Sequence, residues 1–584
     1  MDLKSLVIDR VLSRTPLAGK VPGGKVVLEI DLGRGLLSHP PETPWAAMKA
    51  MNAPTLTTLA QKLREAAGDE DVAGLVLYAG SAPLTLPQAQ ELGLAIADFG
   101  QQKPTLAFAP ALGELSNDLA SYLLASSCHQ IWLQPSGQLG IGGVHLGITL
   151  FKGLLGKAAI EPQFGKRHEY KTAADQFAAD QVSDANREMM QAIANSFTHD
   201  FVDTVAERRG VDREAVWRAV DESPLTPEQA LEWRLVDRVG YRDEAVAHLL
   251  AEWGGDDELK PEQLRFAHRW TPGGPAGQAV TQLNSRRQPT IAVVPVRGGI
   301  VMGRGRPSGM GEPETGADVV AEQLRAASRD DKVKAVVLRV DSPGGSAVAS
   351  DTIWRAVHQV RESGLPVVAQ MGNYAASGGY YVSMGADEIV ALPATLTGSI
   401  GVLAGKMVTT GLYDKLGLVH EAIDSGPNAG MLASDQHFTE EQWARLNAWL
   451  DRIYDDFTRK AAADRGMDHA QLEPLARGRV WTGRDAHERG LVDHLGGLEL
   501  AVERACALAG LDRDKVQLKS HAGIGILDRV RPAQSTEQPT AASLASAWTP
   551  EAVLQQLSVR VGLPLSSGIL EIPQISWGSG ATSA

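Results

Sequence analysis

The chain has 584 residues, too long for one ordinary core, and its 56 Lys+Arg against 70 Asp+Glu leave a formal charge of −14. That acidity works against binding a phosphate backbone. The composition, 43% hydrophobic and 22% charged, is that of a folded chain and excludes a disordered one. Two cysteines, Cys128 and Cys506, are too few for a disulfide framework or a cysteine-built zinc site, and they fit a reducing compartment.

Residues 1–22 form an N-terminal segment in which Asp2, Lys4, Asp9, Arg10 and Arg14 interrupt any apolar core of a signal peptide. No uncharged apolar run elsewhere reaches the roughly 18 residues that cross a bilayer. The expectation is a cytoplasmic protein, with membrane contact at most peripheral at the inner face.

Further along, short apolar runs return in the same order about 260 residues apart. Val72–Tyr78 (VAGLVLY) matches Val333–Arg339 (VKAVVLR), and Pro104–Ala107 (PTLA) matches Pro366–Ala369 (PVVA). Ile131–Pro135 (IWLQP) matches Ile389–Pro393 (IVALP). Thr226–Gly240 (TPEQALEWRLVDRVG) matches Thr482–Gly496 (TGRDAHERGLVDHLG). The β-branched runs predict strands buried on both faces, and stretches such as Ser350–Ser363 predict helices between them. Strand–helix alternation implies right-handed crossovers and largely parallel sheets. The fold class is therefore α/β, two tandem domains from an internal duplication, at 23–255 and 289–512. A linker is expected over 256–288, punctuated at Thr271-Pro272-Gly273-Gly274-Pro275. Residues 513–584 read as a C-terminal extension, rich in Ser, Thr, Ala and Pro over 532–547 and expected to be partly mobile, with a short amphipathic helix at Glu551–Val561.

Three glycine- and serine-rich passages follow strands of the second repeat. Asp341-Ser342-Pro343-Gly344-Gly345-Ser346 follows Ala335–Val340, where paired glycines allow positive φ and close approach of a backbone N–H to a ligand. A ligand-free tight turn is the plain alternative. Asn373–Tyr381 (NYAASGGYY) follows Val367–Gln370 and puts Ser377 near a helix N-terminus, where free N–H groups and the dipole favour negative charge. A close-packed helix start is the plain alternative there. Thr397-Gly398-Ser399-Ile400-Gly401-Val402 follows a third strand, and its serine could simply bond its own backbone.

Together the passages resemble the signal peptide peptidase A family of serine proteases, peptidase family S49, whose domains are Clp/crotonase-like. The resemblance spans both repeats and is carried by DSPGGS, NYAASGGYY and TGSIGV. It implies that Ser377 is the nucleophile, Ser399 orients the base, and Gly345 and Gly378, with Gly344 as an alternative to Gly345, supply oxyanion N–H groups. The family's base is a lysine, and the second repeat lacks one at His420–Ala429. The first repeat offers Lys171, aligned by the repeat offset near Ala429, with Lys166 as competitor; opposite Ser377 it has Leu119. Each half holds the group that the other lacks, like the long form of the family with one composite Ser–Lys site.

The implied activity is a serine endopeptidase needing no metal or cofactor and acting on hydrophobic peptides such as cleaved signal peptides. A homo-oligomer shaped as a ring or bowl, with a tetramer as one form, is also implied. A crotonase-like acyl-CoA enzyme and a catalytically silent scaffold are the alternatives. The 14 histidines contain no HExxH pattern, and Gly153–Lys157 lacks the spacing of a phosphate-binding loop.

Overall fold

The computed structural model describes residues 25–39, 53–80, 83–254, 259–273, 288–305 and 314–520. The whole N-terminal segment, much of the linker, residues 521–584 and the helix expected at Glu551–Val561 lie outside the described residues.

Two α/β sheets dominate. In the first half, β1 (Val26–Asp31), β2 (Val72–Tyr78), β3 (Thr105–Ala109) and β4 (Gln130–Leu133) are followed by β5 (Glu161–Lys166), β6 (Arg238–Val239) and β7 (Leu264–Phe266). All but β5 form one sheet in the order β6-β4-β3-β2-β1-β7, every pairing parallel. The VAGLVLY run is buried along its whole length because helices cover both faces. Leu75 and Leu77 face one apolar layer, while Val76 and Tyr78 face another that includes Ala245 and Leu249 of the helix Arg242–Trp253.

The second half repeats the plan. Its strands are β8 (Thr290–Arg297), β9 (Gly299–Val301), β10 (Glu314–Gly316), β11 (Val333–Ser342), β12 (Val367–Ala376), β13 (Glu388–Ala391), β14 (Leu396–Gly398), β15 (Leu403–Val408), β16 (Val480–Thr482), β17 (His494–Leu495) and β18 (Gln517–Ser520). The main sheet runs β16-β14-β12-β11-β8-β18, with β13 branching from β12 and carrying β17; only β14–β16 is antiparallel. Val336, Leu338 and Val340 pack on one side, and Ala335 and Val337 meet the helix Leu498–Leu508 on the other.

Two assignments need correction. The stretch expected to be a linker contributes β7, and the expected extension contributes β18; each is the parallel edge strand beside β1 or β8. An edge strand has a neighbour on one side only, so LRF and QLKS are short and partly polar and carry no apolar run to read.

The halves interlock. β5 of the first pairs antiparallel with β15 of the second, Glu161 opposite Val408 and Lys166 opposite Leu403. Ala394, Leu396 and Val480 of the second half lie in the same apolar cluster as Ile131 and Leu139 of the first. Arg339 reaches Glu91 at 3.3 and 3.4 Å, a cross-half ion pair with both side chains buried.

Candidate active site

The three motif turns stand at the carboxyl ends of β11, β12 and β14, neighbouring strands of one sheet. Ligands of open α/β sheets collect at this end.

At the end of β11, Ser342 Oγ donates to Gly298 O (2.6 Å) and accepts from Gly344 N (3.2 Å). Gly344 and Gly345 have φ of 115° and 153°. Ile300 of β9 donates to Gly344 O (2.8 Å) and accepts from Ser346 N (2.7 Å), so the turn lies flat against that strand. A Cβ on Gly345 would stand 2.1 Å from Ile300 O, which is why glycine occupies the position. Ser346 then caps the helix Ala347–Glu362 by accepting from Ala349 N. Behind the turn, Asp341 accepts from Asn373 Nδ2 (3.1 Å) and lies 3.2 Å from His39 Nε2 of the first half. Burial pushes the His39 imidazole down to about 4.

At the end of β12, Ser377 is fully buried and occupies the N-cap of the helix Gly378–Met384. Its backbone is strained, with φ 55° and ψ −111°, and its N–H donates to Gly398 O (2.8 Å). Most serine N-caps spend the hydroxyl on a helix N–H; Ser377 makes no such bond. Gly378 abuts the β11 turn, since a Cβ there would be 3.1 Å from Gly345 N. At the end of β14, Ser399 has φ 50°, and its N–H donates to Arg479 O (2.6 Å).

The amine comes from the first half. After β5 the chain turns through His168, at φ 64°, and delivers Lys171, 1% exposed, beneath the three turns. Lys171 Nζ lies 2.8 Å from Ser377 Oγ, 3.0 Å from Ser399 Oγ and 3.1 Å from Ser399 O. Lys166, the competitor, is held by the Asp175 carboxylate at 2.7 and 2.8 Å and is partly exposed. Leu119, expected opposite Ser377, is buried at the first position of the helix Leu119–Ala125; its N-cap Asp118 holds the place that Ser377 holds at the N-cap of the helix Gly378–Met384. Lys171, Ser377 and Ser399 therefore stand together, with Gly345 and Gly378 alongside Ser377. Gly344 is near, but its N–H is directed to Ser342 Oγ.

Several neighbours are not legible from motifs. Gly401 and Gly478 make room for the lysine: a Cβ on Gly401 would be 3.3 Å from Lys171 Cδ, and one on Gly478 would be 2.5 Å from Lys171 N. Arg477 pairs with Glu169 (3.0 and 2.8 Å) and Arg479 with Glu188 (2.7 and 2.8 Å). Hydrogen bonds from these arginines hold both carboxyls below the usual carboxylate range. The available signal was a charge reversal, because the repeat alignment sets Arg477-Gly478-Arg479 opposite Asp221-Glu222-Ser223.

Comparison with known proteins agrees with this architecture. The profile of peptidase family S49 matches residues 98–254 and 359–512, once in each half. The chloroplastic serine protease SPPA of Arabidopsis thaliana is 30% identical over 492 residues, covering 82% of this chain and 68% of that protein. Protease 4 of Salmonella typhi is 30% identical over 470 residues, covering 78% of this chain and 72% of its own. Protease 4 of Haemophilus influenzae is 31% identical, covering 77% and 72%. With a family match in both halves and serine-protease relatives along most of its length, the chain belongs to peptidase family S49 and is a serine peptidase.

Proposed function

We propose that Ser377 and Lys171 form the catalytic dyad of an endopeptidase acting on hydrophobic peptides, cleaved signal peptides among them. The observation that carries the reading is the 2.8 Å separation of Lys171 Nζ and Ser377 Oγ in a site closed to water. A lysine acts as base only when uncharged, and withdrawal from water works against the ammonium form. The neutral amine takes the Ser377 proton as Oγ attacks the peptide carbonyl. Ser399 orients the amine through its hydroxyl and carbonyl. The N–H groups of Gly345 and Gly378 stabilise the oxyanion, each worth about 3 kcal/mol in such sites. The protonated lysine then delivers its proton to the leaving amine. Water, activated by the same lysine, hydrolyses the acyl-enzyme and regenerates Ser377.

In this reading the two halves, 23–255 and 289–512 with β7 and β18 added at their edges, are duplicated units that share one site per chain. We also propose a homo-oligomer, and the unequal use of the duplicated parts supports it. In the first half the helix Lys152–Lys157 leads into β5, which is paired by β15. In the second half the corresponding helix Thr410–Leu416 leads into Leu418–Ile423, a segment outside any strand with Val419 99% and Ile423 93% exposed. A neighbouring copy would cover it. The two cysteines are free thiols, which fits a cytoplasmic location. No described helix is long and apolar enough to cross a membrane.

The test is cleavage of a quenched-fluorescent peptide with apolar residues around the scissile bond. Ser377→Ala and Lys171→Met should each lower kcat/KM by about 10⁴-fold or more while the far-ultraviolet circular dichroism stays unchanged. Retained cleavage in either variant would overturn the dyad, and equal cleavage of a charged peptide would overturn the substrate class.

A further inference from the structure

Delivering a base from one half of a chain to a nucleophile on the other poses a problem of alignment. The β5–β15 ribbon ends at Lys166, and Lys171 lies five residues beyond it, past a left-handed turn at His168. Something must fix Glu169–Lys171 against the second half, and a single tripeptide of that half touches each of these residues in turn. Arg477 forks onto the Glu169 carboxylate at 3.0 and 2.8 Å. Gly478, at φ 81°, lies so close to Lys171 that a Cβ would meet the lysine N, Cα and Cβ within 2.6 Å. The Arg479 guanidinium lies 4.7 Å from the Tyr170 ring centroid and 4.4 Å from that of Trp481, and forks onto Glu188 at 2.7 and 2.8 Å. The Arg479 carbonyl also receives the Ser399 N–H at 2.6 Å. One residue thus contacts the residue before the amine and the residue that orients the amine.

We infer that Arg477 and Arg479 are positioning residues, a clasp that sets the register of Lys171 against Ser377 and Ser399. The inference rests on the dyad reading above. Stability alone is a weak account of these contacts. Glu169 and Glu188 are about half exposed, which limits what their ion pairs contribute to folding, although Arg479 itself is mostly buried. What two-pronged arginine–carboxylate pairs add is fixed geometry. The first half has Asp221, Glu222 and Ser223 in the equivalent place and no lysine base to hold there.

The experiment separates alignment from folding by measuring rates per intact site. Sites are counted by active-site titration with a fluorophosphonate, and kcat and KM are referred to that count for the full chain. Arg479→Gln should lower kcat per titrated site by about 10²-fold with KM within about threefold, and Arg479→Lys, which keeps charge but loses the fork and the stack, should fall between. Arg477 also holds Glu473 at 3.0 Å, so Arg477→Glu should lower kcat per site about tenfold, and the double variant Arg477→Glu/Glu169→Arg should recover part of it. Wild-type kcat per site in Arg479→Gln and Arg477→Glu, with only fewer titratable sites, would overturn the clasp and leave a structural ion pair. The same follows if the charge exchange rescues nothing. Failure of the dyad looks different, because Lys171→Met would then keep its activity whatever the arginines do.

Discussion

The two halves share a strand plan and differ in how their turns are finished. After β3 the helix Leu119–Ala125 is capped in the ordinary way, Asp118 accepting from Ser121 N. After β12 the equivalent helix begins at Ser377, whose hydroxyl is withheld from capping and directed to Lys171 instead. Ile141 of the first half gives its N–H to Ser223 Oγ, whereas Ser399 at the matching place gives its own to the Arg479 carbonyl and keeps its hydroxyl for the amine. The buried strand faces preserve the architecture in both copies, and in the proposed reading the chemistry resides in a few residues at strand ends. On that reading, a polar group that leaves its local hydrogen-bonding role marks the reactive half.

Substitutions at paired positions sharpen that contrast. Outside the dyad itself, the largest effect is expected at Gly478. Gly478→Ala puts a methyl within 2.6 Å of the Lys171 backbone at a φ of 81°, and peptidase activity should fall by at least about 10²-fold, from both strain and a displaced base. Ser399→Ala removes one hydrogen bond to the amine and should cost about 10- to 100-fold in kcat, while Ile141→Ala in the other half should leave kcat per folded molecule unchanged. Chemical denaturation reads the caps: Asp118→Ala should destabilise by about 1 kcal/mol, whereas Ser377→Ala, with no cap to lose, should stay within about 0.5 kcal/mol. Equal losses at the two sites would erase the distinction drawn between them.

A separate effect concerns acid stability. His39 titrates near 4 in the folded chain because burial opposes its charge, against about 6.5 when unfolded. Between those values the unfolded chain holds the extra proton, so this residue lowers stability as pH falls from about 6.5 to about 4, and contributes no pH dependence above that window. His39→Gln should flatten the acid limb by up to about 1.4 kcal/mol per pH unit there. Parallel limbs for wild type and variant would remove His39 from the account of how the Asp341 turn is held.

Much of the fold is legible in the sequence because strands buried on both faces need apolar runs, and VAGLVLY and the AVVL of VKAVVLR supply them. The serines and glycines of the site are legible because tight turns with positive φ restrict composition at Gly344, Gly345 and Gly398. Other parts carry no such constraint. β5 and β15 pair across the halves through EPQFGK and LAGKMV, neither of which marks a partner so far along the chain. Sequence spacing leaves Lys166 and Lys171 as rivals, and the difference lies in Asp175, which engages one and leaves the other to the serines. The arginine clasp leaves only the charge reversal between the repeats, since long-range ion pairs impose no local pattern.

The most direct test of the two-half site is covalent labelling by a fluorophosphonate, followed by peptide mapping and by labelling rates in wild type and Lys171→Met. A single adduct on Ser377, formed about 10³-fold more slowly once the lysine is gone, is the expected result. An adduct on another serine, or an undiminished rate without Lys171, would contradict a site assembled from one amine and one hydroxyl contributed by opposite halves of the chain.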